Sequence, residues 1–316
     1  MSVLSIQSHV VHGYVGNKAA TFPLQLLGFD VDPLNTVQFS NHTGYPVFRG
    51  ERLEGTQFQT LVEGLRLNGL LGAYSHVLTG YVGRPSSLEA ICDLVEQLKQ
   101  ARPSTTIFVD PVMGDEGKLY VPSELLPIYR DKLLRLSHIV TPNSFEAELL
   151  TGAPVRTAER ACEALRQIHA LGPRVVIITS AELEGDPGRL HLFASISEGG
   201  SADGPPAPSV RGITISFAKR TGWFTGTGDL FAALMLAHLG SIGDLTFEGL
   251  AAGCEKAVWT MQQVLAKTAE AAAEEAASAE RVGDGAAVAR ARELRIVQSR
   301  DLIMAPQRVA SRALAL

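Results

Sequence analysis

Gly226-Thr227-Gly228-Asp229 stands directly before the apolar segment Leu230 to Leu239 (LFAALMLAHL), so two glycines and a carboxylate meet the start of a helix. Glycines there let backbone N–H groups converge, and the helix macrodipole favours an anion, so a transferring phosphate can be held without basic side chains. Asp229 would enter the first turn beside this anion hole, where a carboxylate can accept a hydroxyl proton as the oxygen attacks a γ-phosphorus. The same four residues have a bland alternative, a glycine turn whose aspartate merely caps the helix. No G-x-x-x-x-G-K-[ST] pattern occurs anywhere in the chain, which excludes a P-loop as a motif.

Acidic residues that could hold a cation follow two short apolar runs. Thr141-Pro142-Asn143-Ser144-Phe145-Glu146 lies where the run ending at Val140 passes into a helix. Asn143 with Glu146 makes a capping box, and Glu146 could equally hold magnesium-bound water, since Mg2+ keeps several waters and needs only one or two carboxylates. Asp110-Pro111-Val112-Met113-Gly114-Asp115 sets two carboxylates on either side of a turn. Beside a nucleotide phosphate they would need a cation to offset their repulsion, which makes Asp110 and Asp115 metal candidates; ordinary turn chemistry is the competing reading. His9 and His12 have H-x-x-H spacing but lie at a strand-to-loop passage without an acidic partner, and are set aside as ligands.

A third set is polar and aromatic. Ser8 ends the first apolar run, Ser40-Asn41-His42-Thr43-Gly44-Tyr45 follows the second, Thr79-Gly80-Tyr81 follows the third, and Thr179-Ser180 closes a later one. At the carboxyl ends of strands in an open α/β sheet these residues would line one ligand crevice. The hydroxyls of Ser8 and Thr43 with the rings of His42 and Tyr81 suit a flat polar heteroaromatic better than a sugar, because its face can stack while its edge hydrogen-bonds. Thr179 and Ser180 could touch a nucleotide or simply begin a turn.

The elements that must position these residues are legible. Val3 to Ile6, Thr36 to Phe39, His76 to Leu78, Thr106 to Val109, His138 to Val140 and Val175 to Ile178 read as buried strands. Amphipathic stretches between them give the βαβ rhythm of an α/β fold, a mostly parallel central sheet with helices on both faces. Leu88 to Lys99 is the clearest helix, with Leu88, Ile91, Val95 and Leu98 on one face and Ser86 with Glu89 spaced as a capping box. Gly28, Gly152, Gly172 and Gly240 each end a helical stretch. Residues 198–212 (EGGSADGPPAPSVRG) hold too little apolar surface to order themselves, so a mobile loop is expected there. The Ala-rich run 266–291, interrupted by Gly283 and Gly285, reads as a peripheral, partly frayed helical insertion. One domain spanning 1–316 accommodates the whole.

Composition narrows the function. With 316 residues, 46% hydrophobic and 19% charged, the chain can bury a sizeable core. A net charge of −5 and a pI near 5.9 give no footprint for nucleic acid or an anionic membrane. Three widely spaced cysteines suggest neither a disulfide framework nor a zinc site, and the amino terminus lacks the pattern of a secretory signal. A cytoplasmic protein is expected.

Read in order, QSHVVHGYVGNKAATFPLQLLGFDVD, VQFSNHTGY, LTGY, DPVMGD, TPNSFEAELLTG, VVIITS and GTGDLFAALMLA resemble the pyridoxal kinase family of the ribokinase-like superfamily, over about residues 3–304. The resemblance implies a ribokinase-like fold and ATP-dependent phosphorylation of the 5′-hydroxymethyl group of pyridoxal, pyridoxine and pyridoxamine in vitamin B6 salvage. It further implies a cytosolic homodimer that uses Mg2+ and a monovalent cation such as K+. Asp229 would be the catalytic base, Ser8 and Thr43 would hydrogen-bond the pyridine ring, and His42 and Tyr81 would flank it. Asp110, Asp115, Thr141 and Glu146 would form the metal and phosphate region, with Asn143, Thr179, Ser180 and Thr227 as nucleotide contacts. Gly226 and Gly228 would be the anion hole, and Tyr120 a lid tyrosine. Two departures stand out: residues 116–119 look shorter than the lid of animal members, and the stretch after Ala181 differs where adenine contacts would fall. Two other functions stay open. One is a hydroxymethylpyrimidine kinase or another ribokinase-like kinase with a different pocket. The other is a vitamer-binding protein without catalysis, against which the intact Gly226 to Asp229 stands.

Overall fold

Period-two alternation along the central strands sends apolar side chains to both faces of one sheet. In the computed structural model of the chain, which describes residues 1–198 and 209–316, that sheet has ten strands. The strands in chain order are β1 (Ser2–Val10), β2 (Asp30–Phe39), β3 (Gly50–Arg52), β4 (His76–Thr79), β5 (Thr106–Val109), β6 (Gly114–Asp115), β7 (Lys118–Leu119), β8 (Ile139–Val140), β9 (Val175–Ala181), β10 (Arg189–Glu198), β11 (Ser209–Ala218) and β12 (Arg312–Leu314). The helices are α1 (Asn17–Leu26), α2 (Gly55–Leu67), α3 (Pro85–Ala101), α4 (Leu125–Ile128), α5 (Leu134–Leu136), α6 (Ser144–Thr151), α7 (Ala158–Ala170), α8 (Thr227–Leu239), α9 (Phe247–Arg281), α10 (Gly285–Ala291) and α11 (Arg300–Met304).

Across the sheet the order is β12-β11-β10-β9-β8-β5-β4-β1-β2-β3, with β6 and β7 forming a separate hairpin. The six strands from β9 to β2 run parallel, whereas β3 at one edge and β10, β11 and β12 at the other run antiparallel to their neighbours. Leu4, Ile6, Val77, Ile107 and Val109 pack on one face with Phe58 of α2 and Leu88, Ile91 and Leu98 of α3. Their strand neighbours Val3, Leu78 and Phe108 pack on the other with Leu24 of α1, Leu234 of α8 and Val258 of α9. The sandwich of helices around a mostly parallel sheet is therefore the expected one. No helix among the described residues is long and apolar enough to cross a membrane. Cys92, Cys162 and Cys254 are free and buried.

Four local expectations need revision. The Ser86/Glu89 capping box does not form, because Pro85, with its preset φ and no N–H to leave unpaired, starts α3 two residues earlier than a Ser86 cap would, with Arg84 as the N-cap. Ser86 instead accepts from the Gly55 N–H at 3.3 Å and Glu89 pairs with Lys132 at 2.6 Å. The loop predicted over 198–212 is shorter at both ends, since Glu198 closes β10 and Ser209 to Gly212 open β11 in register with it; residues 199–208 lie outside the described residues. The Ala-rich run is not a separate insertion: its first part continues α9 to Arg281. Small side chains suffice there because Ala272 and Ala276, one turn apart, pack directly against Ala291 of α10. Finally, the antiparallel strands β10 to β12 extend the sheet beyond the strands expected from apolar runs. Gly28, Gly152, Gly172 and Gly240 all have positive φ, as predicted.

Caps away from the crevice offer a control on stability. Thr157 opens α7 by accepting the Arg160 N–H at 3.3 Å. Thr157→Ala is expected to lower the unfolding free energy by about 1 kcal/mol in a urea titration, with turnover unchanged.

Candidate active site

Parallel strands end together, and the loops that follow β1, β2, β4, β5 and β8 open on one cavity of about 660 Å³, closed on its far side by the turn into α8. Ser8, His42, Thr43, Tyr81 and the metal, nucleotide and glycine-turn candidates border it, whereas Ser40, Asn41, Tyr45, Thr79 and Gly80, expected along the same edge, do not. Ser8 enters at a register irregularity in β1, His42 and Thr43 follow β2, and Tyr81 follows β4. Asp110, Thr141, Asn143 and Glu146 come from the next two strand ends, Thr179 and Ser180 from the end of β9, and Gly226 to Asp229 from the start of α8. Asp115 ends β6 and Tyr120 follows β7 in the small hairpin β6–β7, whose turn uses Glu116 and Gly117, both with positive φ. Tyr120, 47% exposed, stands at its end.

The glycine turn is shaped by a second turn, residues 13–16, pressed against it. Gly226 has φ 84, and a Cβ there would fall 2.0 Å from the Tyr14 carbonyl oxygen, so backbone touches backbone at this point. Gly16 packs as closely on Ser8, where a Cβ would lie 2.0 Å from the Ser8 carbonyl oxygen. Asp229 occupies the first turn of α8 as expected, half-buried, with the Gly16 backbone N–H near enough to its carboxylate to favour the charged form.

Negative charge dominates the floor. Thr141 donates its hydroxyl to Asp110 Oδ1 at 3.3 Å. Glu146 Oε1 accepts the Met113 N–H at 2.9 Å and Oε2 the Asn143 N–H at 2.9 Å, while Asn143 Oδ1 accepts the Glu146 N–H at 2.8 Å. The capping box is thus fully formed, and Glu146 does structural work whatever else it does. Burial, then the neighbouring Glu146 and Asp229, push the pKa of Asp110 well above the usual carboxylate range. Burial likewise pushes Glu146 up to about 8 against the pull of three backbone N–H groups. Asp229 and Asp115 are also raised, chiefly by burial. Among the described lining residues Arg52 is the one cation, and it lies over the Phe39 ring at 5.0 Å.

Buried carboxylates without a facing cation are costly, and they suit a divalent ion that arrives with a polyphosphate. No group of three His, Cys, Asp or Glu among the described residues could hold an ion by itself. An ion that one or two carboxylates share with substrate phosphates needs no such group. Asp110 fits best, because both oxygens of Glu146 are engaged by backbone.

Sequence reasoning missed the apolar wall and the aromatic rim. Val10, Val15, Val37 and Phe39 form a small buried cluster beside Ser8, and Trp223, 49% exposed, with Phe224 and Thr225 leads into the glycine turn. The signal for the rim was in the chain, where one of only two tryptophans stands three residues before Gly226.

The chain is similar to known proteins over most of its length. A family model described as phosphomethylpyrimidine kinase matches residues 73–246. The pyridoxal kinase of Bos taurus is 46% identical over 309 residues, covering 96% of each chain. That of Arabidopsis thaliana is 48% identical over 266 residues, covering 84% of this chain and 82% of its own. The structure of pyridoxal kinase from Leishmania donovani in complex with ADP and pyridoxamine superposes with a TM-score of 0.84 at 38% identity, covering 99% of each chain.

Proposed function

The chain belongs to the pyridoxal kinase family, and from that premise we infer that it uses ATP to phosphorylate the 5′-hydroxymethyl group of pyridoxal, pyridoxine and pyridoxamine. The fold is ribokinase-like. The observation that carries the site assignment is a single cavity with Asp229 and the glycine turn at one end and Ser8, His42, Thr43 and Tyr81 at the other.

In this reading the pyridine ring lies among Ser8, Thr43, His42 and Tyr81, with its 5′ alcohol toward Asp229. Asp229 accepts the alcohol's proton as the oxygen attacks the γ-phosphorus in line with the leaving ADP. Backbone N–H groups of Gly226 to Gly228 and the amino end of α8 stabilise the charge on the transferring group, since they are already oriented and need not reorganise. Asn143, Thr179, Ser180 and Thr227 hold the nucleotide, and Tyr120 on the hairpin covers the phosphates. Asp110, with Thr141, Asp115 and Glu146 around it, would hold Mg2+, which offsets phosphate charge when bound. A K+ requirement, a homodimer and a cytoplasmic setting belong to the same proposal.

The phosphomethylpyrimidine match begins after residue 72, so Ser8, His42 and Thr43 fall outside it. In this reading their contacts to the ring are what would favour a vitamer over a hydroxymethylpyrimidine. The deciding experiment assays ATP-dependent turnover of pyridoxal, pyridoxine, pyridoxamine and hydroxymethylpyrimidine side by side, with and without K+. Preference for the pyrimidine over every vitamer would reject the assignment. Ser8→Ala and Thr43→Val are each expected to raise the KM for pyridoxal about tenfold while the ATP KM stays within twofold, since one hydrogen bond to the ring is lost. Parallel rises for both substrates would place these hydroxyls elsewhere.

A further inference from the structure

Glu293 lies just past α10, far from the glycine turn in sequence, and borders no part of the cavity wall. It is 6% exposed, and no Lys or Arg among the described residues pairs with it. A buried carboxylate without a strong cation is unfavourable unless its oxygens are satisfied, and these are. Oε2 accepts the Tyr14 N–H at 2.9 Å, and Oε1 accepts the Tyr45 hydroxyl at 3.0 Å with His42 Nε2 at 3.3 Å. These bonds hold Glu293 below the usual carboxylate range despite its burial.

The three partners belong to two different walls. Tyr45 and His42 sit in the loop that presents Thr43 to the ring, and their own rings pack 4.8 Å apart. Tyr14 sits in the 13–16 turn, whose Tyr14 carbonyl abuts Gly226 and whose Gly16 packs on Ser8 with its N–H near Asp229. A Cβ at Gly13 (φ 89) would fall 2.1 Å from Glu293 Oε1, so that turn leaves room for the carboxylate and nothing more. The Gly44 N–H donates to His42 Nδ1 at 3.1 Å, which requires Nδ1 to be bare and the ring proton of neutral His42 to sit on Nε2, facing Glu293.

We propose that Glu293 is a positioning residue for the transfer. Its one carboxylate fixes His42 in the Nε2–H form and clamps the 40–45 loop to the 13–16 turn, keeping the ring-binding wall and the alcohol-activating wall in register. The inference rests on the vitamer reading of the cavity. It acts through His42 and Tyr45 on the ring-binding wall and through Tyr14 on the turn that abuts Gly226.

The test compares Glu293→Ala, Glu293→Gln and Tyr45→Phe with the parent chain. Glu293→Ala is expected to raise the pyridoxal KM at least about tenfold and to lower kcat, with the ATP KM within twofold, the loss appropriate to hydrogen bonds on a charged acceptor. Glu293→Gln keeps an oxygen for His42 and Tyr45 but turns an amide N–H toward Tyr14, so it should recover part of the KM and less of kcat. Tyr45→Phe removes one bond with little risk to folding and should move the pyridoxal KM in the same direction by a few-fold. His42→Ala combined with Glu293→Ala should raise the pyridoxal KM by less than the product of the two single effects, because part of the loss runs through His42 and part through Tyr45 and Tyr14. Independently of turnover, ring-nitrogen NMR on histidine-labelled protein, assigned with His42→Ala, should show the Nε2–H form in the parent and its loss in Glu293→Ala. An unchanged ring signature, additive losses, or equal effects on both KM values overturn the clamp. Failure of the vitamer reading itself would show as a parent chain that turns over no vitamer, and the ring signature then decides the role of Glu293 alone.

Discussion

Asp229→Asn lowers kcat about 10²–10⁴-fold in steady-state assays and leaves the KM for ATP nearly unchanged, because the asparagine fills the same space and cannot take a proton. The geometry makes the expectation specific. The side chain is half-buried at the first turn of α8, beside the glycine turn and near the Gly16 N–H, so the substitution removes basicity and little packing. Burial raises the pKa of Asp229, and a base works only when deprotonated. Turnover of the parent should therefore fall as pH drops through that raised value, with an acid limb at higher pH than a solvent-exposed aspartate would give. Wild-type kcat in Asp229→Asn would remove the base from the mechanism.

Gly226→Ala is the second large effect, a loss of about 10²–10³-fold in kcat, the usual size for disturbing one anion-hole donor. Two independent costs fall on this position: φ 84 strains any L side chain, and the new methyl would press on the Tyr14 carbonyl, which is backbone and cannot swing away. Gly228 is the internal control. A Cβ there meets only Asp110 Oδ2 at 3.6 Å, an ordinary contact, and its φ is not positive, so Gly228→Ala should lose far less. Equal losses at the two glycines, with thermal unfolding measured on both, would mean that the turn's shape is not what supports transfer.

Much of the site was legible because it is made from strand ends. Apolar runs such as Thr106 to Val109 announce a buried strand, and the next residue, Asp110, must then emerge at the sheet's carboxyl edge. The same logic placed Thr141 after Val140 and Tyr81 after Thr79. The antiparallel flank was harder to read. In β11 the side chains alternate in burial and Arg211 and Gly212 interrupt the apolar pattern, while the Gly- and Pro-rich stretch before it masks where pairing resumes. Ser86 illustrates a rule losing to a stronger one, since spacing favoured a capping box but the adjoining proline set the helix start. Glu146 was not a choice between capping and function, because a capping glutamate at a strand end already faces the cavity. Glu293 could not be found locally at all. Its partners lie near the other end of the chain, and nothing in the spacing of ELRIVQ marks a carboxylate that reaches Tyr14.

The clasp between the 13–16 turn and the helix that begins at Thr227 also bears on how the protein is made. A ribosome releases Ser8 and His42 early, Asp229 late and Glu293 later still, so a half-synthesised chain lacks both the glycine turn and the carboxylate that ties the 40–45 loop to the 13–16 turn. The complete cavity can therefore assemble only once nearly all of the chain has been made.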